Sequence, residues 1–256
     1  MIKNTVLKLF LIVFFIGCNT DTDFTIKKIT ESNPIHKKQV YEFPILKGYA
    51  DISKKINTTI INGLLELDIS EKHNSIFEKV WATEDNPIPN LTFLNYKINS
   101  LTNNVYSVTF NTEGCGAYCE EFSTSYNFDT SNGEKIYLDA LLNQKGKKEL
   151  LELLSNQKRK TITDYILNLK NEKTSNEDGK MINQSIELYT NCLEGLPFKT
   201  LDYFDLKILN DSIILTSNRC SNHAARAVDD LGDIEYQFKK AKLNSFLNNF
   251  GKKILK

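Results

Sequence analysis

The chain has 256 residues, with 32 basic side chains balanced by 32 acidic ones, and hydrophobic residues make up 41%. Zero net charge gives no global basic field, which excludes nucleic acid as the expected partner. The length and apolar content suffice for a substantial core, and the modest glycine and proline counts, with no long biased tract, exclude a disordered or fibrous chain.

The first 17 residues form a leader. Lys3 and Lys8 precede the uncharged run Leu9-Phe10-Leu11-Ile12-Val13-Phe14-Phe15-Ile16-Gly17, and Cys18 follows at once. A basic front, a short apolar stretch and a small residue before the cut are the parts of a secretory signal. A spanning helix would need about 20 apolar residues, and Asn19-Thr20-Asp21-Thr22-Asp23 ends this run too early. The cysteine at the cut resembles the lipobox of bacterial lipoproteins, with Phe15 where that motif usually carries Leu. The resemblance implies that Cys18 becomes the lipidated N-terminus, held by fatty acyl chains such as palmitate, since several chains anchor firmly where one binds marginally.

After the leader, residues 18–38 are polar and read as a tether, and residues 39–256 as a single α+β domain. Val40 to Leu46 reads as extended, because Pro44 disfavours a helical Phe43. Asp51 offers an N-cap for a helix with Ile52, Ile56, Ile60, Leu64 and Leu67 at helical spacing, and Gly63 interrupts it at modest cost. Leu91 to Asn99 and Val105 to Phe110 flank the turn Leu101-Thr102-Asn103-Asn104, and Phe122 to Phe128 alternates as a further strand. Lys135 to Leu138 extends this meander. Lys147 to Leu169 reads as a helix and 170–180 as an exposed loop.

Tyr203 to Leu209 and Ser212 to Ser217 form a hairpin about Asn210-Asp211. Ile234, Tyr236 and Phe238 alternate like a half-buried strand, and Leu243, Phe246, Leu247, Phe250 and Ile254 outline a closing amphipathic helix. Antiparallel strands with packed helices give an α+β fold: an antiparallel meander covered by amphipathic helices.

Beyond Cys18 four cysteines remain: Cys115, Cys119, Cys192 and Cys220. An even number in an exported chain reads as two disulfides, with three connectivities open. The stretch Gly114-Cys115-Gly116-Ala117-Tyr118-Cys119-Glu120-Glu121 is the most site-like: its glycines allow close approach, and Tyr118, Glu120 and Glu121, with His223 and Arg226, offer a binding surface. Cys115, Cys119, Cys192, Cys220 and His223 also have ligand types and spacings that suit zinc. Glu113, Glu120, Glu121, Asp129 and Asp139 offer carboxylates for glycoside cleavage, which requires two facing groups. No nucleophile or metal-hydrolase signature accompanies His223, so no catalytic residue is assigned. Trp81, the single tryptophan, reads as core.

Several segments, in order, resemble a family of extracytoplasmic domains of unknown function. These are Tyr41-Glu42-Phe43-Pro44, the helix with Ile56-Asn57, Tyr106-Ser107-Val108-Thr109-Phe110, Tyr126-Asn127-Phe128-Asp129, the run from Gly133 to Leu142, and that from Asn222-His223-Ala224 to Gly232. The family occurs in lysozyme-sensing anti-sigma factors and beside the catalytic domain of some peptidoglycan deacetylases. The resemblance covers most of residues 40–250, but the Cys115–Cys119 element is not general in that family.

The expected function is a non-enzymatic, membrane-anchored binding or structural module of the bacterial envelope, on the periplasmic or cell-surface side. The expected partners are the membrane, through the anchor, and a ligand that is a protein such as lysozyme or a cell-wall glycan. No cofactor or bound metal is called for in this reading. Two alternatives stand beside it: a cell-wall hydrolase using acidic residues near 113–121, and a zinc-binding envelope protein.

Overall fold

The structure, a computed structural model, describes residues 23–84, 87, 89–115, 119–171 and 176–256. The leader, Cys18 and Tyr118 therefore lie outside the described residues. The fold is α+β, with a six-stranded sheet and a three-stranded sheet.

The large sheet runs β1 (Thr25–Ser32), β2 (Val40–Lys47), β3 (Leu91–Leu101), β4 (Val105–Cys115), β5 (Cys119–Asp129) and β6 (Glu134–Lys135), in that spatial order. All neighbours are antiparallel except β2 and β3, which are parallel. The parallel pair requires a crossover. It is made by α1 (Ala50–Leu65) and the segment carrying Phe77, Val80 and Trp81, all buried. The apolar stripe of α1, including Ile56, Ile60 and Leu65, lies on the face that Phe43, Val108, Phe110, Tyr126 and Phe128 present. Gly63 has a packing reason, since an added Cβ would meet the Tyr126 hydroxyl at 3.2 Å. Asn57 clamps helix to strand, donating to the Leu46 carbonyl and accepting from its N–H, both at 2.9 Å.

β5 passes through β6 into α2 (Leu138–Leu141), α3 (Gln144–Asn171) and α4 (Asn176–Glu194). The small sheet, β7 (Phe204–Ile208), β8 (Ser212–Ser217) and β9 (Ile234–Lys239), is an antiparallel meander. One of its faces packs on α2, α3 and α5 (Asn249–Ile254) around Leu150, Leu154, Ile208, Leu215 and Leu247. A third cluster joins Ile162 and Ile166 of α3 to Tyr189 of α4.

Several expectations are corrected. The stretch read as a tether contains β1, paired with β2 along its whole length; its lysines and threonines belong to an edge strand, where charge discourages further pairing. Asp51 is not the N-cap. Tyr49 holds that place, and Asp51 sits in the first turn, where the helix dipole favours a carboxylate. The meander stops at Lys135, because Leu138 and Leu141 turn into the second core. The loop expected over 170–180 is shorter, with α4 already running from Asn176. The closing helix is broken. Leu247 forms a β-bridge with Leu142, and Asn248 then caps α5 while donating to the carbonyls of Ala140 and Leu142.

Candidate functional site

The site grows from one alternation. Along β4, Tyr106, Val108 and Phe110 face α1, while Ser107, Thr109, Asn111 and Glu113 face the other way, opposite Asn127, Ser125, Ser123 and Glu121 of β5. This second face is a continuous hydrogen-bonded ladder. Ser107 donates to Asn127 at 2.7 Å, Thr109 and Ser125 share a bond of 3.1 Å, and Ser123 donates to Asn111 at 2.8 Å. Asn99 and Asn95 of β3 join it, the first donating to Thr109 and the second accepting from Asn111.

Half of the ladder is covered and half is open. β7 lies over the covered half: Asn127 donates to the Leu206 carbonyl at 2.6 Å, and the Ile208 N–H donates to Ser107 at 3.3 Å. Asp205 hydrogen-bonds Ser125, and burial nevertheless pushes its carboxyl above the usual aspartate range. Beyond Asp205 the two sheets part into a groove of about 430 Å³. Asn111, Ser123, Glu121 and Phe122 form one wall, and Asp205, Lys207, Asp233 and Glu235 the other. Lys207 is bonded to Glu235 at 2.9 Å, and the Arg219 N–H donates to Asp233 at 2.9 Å. Four carboxylates face Lys207 and the Arg219 side chain, whose Nε lies 3.7 Å from Asp233, and the balance leaves the groove acidic. Buried Lys158 of α3 supports its floor by donating to the Asn218 carbonyl at 2.8 Å.

The tip of the β4–β5 hairpin stands at the end of this groove. Cys115 and Cys119, paired across the two strands, are joined by a disulfide. The other disulfide joins Cys192 of α4 to Cys220, just before the 3-10 turn His223–Val228. Arg226 in that turn forms an ion pair with Glu120, so the structure brings together two segments a hundred residues apart. The turn itself is held by Asp229. Its carboxylate accepts from the Tyr189 hydroxyl at 2.7 Å and from the Ser221 N–H at 3.0 Å. Burial raises the Asp229 pKa, but the bonds from Ser221, Tyr189 and Gly232 outweigh it and hold the group below the usual range.

Of the residues singled out in the sequence, Glu121 lines the groove and Glu120 and Arg226 are engaged with each other. Tyr118 and the His223 side chain lie outside what the structure describes. The zinc set is not available as thiolates, because all four sulfurs are in disulfides. Glu113, Cys115 and Cys119 do bring ligand atoms within 4.8 Å of one another, but both sulfurs are bonded and Glu113 accepts from Thr92. Of the carboxylates singled out for glycoside cleavage, Glu113 and Glu121 face each other across β4 and β5, and the rest lie apart. Asp129 is eight residues along β5 from Glu121, or about 27 Å at strand spacing, and Asp139 pairs with Lys147. Asp205, Asp233 and Glu235, missed in the sequence, are strand-end residues that only the stacking of two sheets assembles.

A solved member of the DUF3298 family from Bacteroides fragilis superimposes with a TM-score of 0.50 and 15% identity, covering 91% of this chain and 97% of that one. The chain shares that fold. A DUF3298 protein from Pseudomonas aeruginosa superimposes with a TM-score of 0.48 at 10% identity, covering 90% and 97%. No protein-family model and no curated protein matches the sequence. Among the described residues no helix is long and apolar enough to cross a membrane.

Proposed function

We propose that this chain is a lipid-anchored, extracytoplasmic binding module of the bacterial envelope, and that its acidic groove takes a basic segment of a protein partner, of which lysozyme is the type. The leader ending at Cys18 supports the anchor, and the two disulfides suit an oxidising compartment. The observation that carries the ligand class is the groove: Glu121, Asp205, Asp233 and Glu235 converge there and outnumber the two cations beside them, Lys207 paired with Glu235 and Arg219 paired with Asp233. Complementary charge of this kind speeds encounter and selects a cationic partner.

The test is retention of lysozyme by the mature chain at low salt, compared with a Glu121→Gln, Asp233→Asn, Glu235→Gln variant. Exposed charge pairs contribute up to about 1 kcal/mol each, so the triple variant is expected to weaken binding about tenfold or more, and added salt to mimic it. No retention at low salt, or retention that survives neutralisation, overturns the proposal. A second reading, a cell-wall glycan, is favoured by the amide and hydroxyl ladder that runs from Asn95 and Asn111 to Ser123. Sedimentation with peptidoglycan that is insensitive to salt and lost in Asn111→Ala would decide for it.

A further inference from the structure

The two ends of the strands are not equivalent with respect to the anchor. The direction of pairing puts the start of β1, the end of β2, the β3–β4 turn and the end of β5 at one end of the large sheet. Asp23, Tyr49, Ile52, Asn103, Thr130 and Ser131 surround one hollow of about 380 Å³ there. The chain enters the domain at this end and is pinned. Tyr49 donates its hydroxyl to Asp23 at 2.7 Å, and buried Phe24 packs edge-on against the Tyr49 ring at 5.5 Å.

We propose that this end, carrying Asp23, Tyr49, Asn103 and Ser131, rests against the lipid surface, and that the Cys115–Cys119 tip and the acidic groove face away from the membrane. The inference rests on lipidation of Cys18. Four residues separate Cys18 from Asp23, and the five backbone steps between them reach at most about 18 Å when fully extended. The ten steps along β5 from Asp129 to Cys119 span about 34 Å. A leash shorter than the domain keeps the near end down. Tyr49 is 56% exposed there and, with an apolar ring and a polar hydroxyl, suits a headgroup layer.

The experiment uses the acylated full chain in vesicles of phosphatidylethanolamine and phosphatidylglycerol with an energy acceptor on the lipid headgroups. A donor dye is placed either at Asn103→Cys, in the near turn, or at Lys37→Cys, in the exposed β1–β2 connection at the far end. Transfer is expected to be several-fold stronger from position 103. Inserting about 20 Gly/Ser residues before Asp23, which adds roughly 25 Å of reach, should erase the difference. Equal transfer from both positions with the native spacing, or stronger transfer from position 37, overturns the orientation alone. Failure of the chain to float with the vesicles refutes the anchor, and the orientation with it, while leaving lysozyme retention by the groove to be judged separately.

Discussion

The β4–β5 hairpin has two faces built from the same strands, and they are stabilised in different ways. One face is apolar and packs on α1, where Phe43 stacks on Phe110 with centroids 5.3 Å apart and Tyr126 stands edge-on to the same ring at 5.9 Å. The other is a ladder of serine, threonine and asparagine, closed by β7 over half its length and open to the groove over the rest. Apolar burial is non-directional and roughly proportional to area. Buried polar groups instead require that each donor and acceptor find its partner. The difference teaches where polar groups stay accessible: the ladder holds them in place by mutual hydrogen bonds, and β7 covers them over only half its length.

Substitutions along the two faces can break this comparison. Phe110→Ala, on the apolar face, should cost about 3–5 kcal/mol in chemical denaturation. A loss below 1 kcal/mol would mean that this face is not the principal core. Removing the Cys192–Cys220 disulfide by a double alanine variant should cost about 3 kcal/mol, since it closes 28 residues; removing Cys115–Cys119, which closes only four, should cost less than 2.

On the polar face, Asn127→Ala should cost about 1–3 kcal/mol, because the Leu206 carbonyl and the Ser107 hydroxyl lose their partner under β7. Asn111→Ala, at the open end, should change stability by less than about 0.5 kcal/mol. Equal costs at positions 111 and 127 would erase the distinction between covered and open ladder.

The smallest effect is in pH dependence, where two aspartates have opposite signs. The Asp205 carboxyl is raised by burial, so the folded state holds its proton longer than the unfolded chain. The stability this gives is present below the ordinary aspartate pKa and lost as pH rises through the raised value. Asp229 is lowered, so its contribution is present above the ordinary pKa and lost as pH falls through the lowered one. Denaturation of Asp205→Asn and Asp229→Asn across the acid range should show each slope removed separately. A common slope in both variants would refute the assignment.

Much of the fold was legible from the residues. The alternation in Val105 to Phe110, the turn at Leu101 to Asn104 and the two-residue turn at Asn210-Asp211 appear where read, the last closed by the Leu209 N–H on the Ser212 carbonyl at 2.9 Å. Trp81 is buried. What failed has local causes. β1 was hidden because an edge strand carries the same charges as a linker, and α4 because its inward positions include Ser185 and the polar-tipped Tyr189. The closing helix is interrupted because Leu247 faces Leu142 in a bridge that periodicity cannot reveal.

For the site, the sequence by itself determined the composition of the pieces: an even set of four thiols after Cys18, and a hairpin with polar residues on alternate positions. Those follow from local chemistry and a period of two. Tertiary structure decided the disulfide pairing, the meeting of Glu120 with Arg226, and whether Ser107 and Asn127 would be solvated or buried. Asp205, Asp233 and Glu235 share a groove with Glu121 only because a second sheet lies across the first. A polar alternation says which side chains share a face; what covers that face depends on contacts between residues a hundred positions apart.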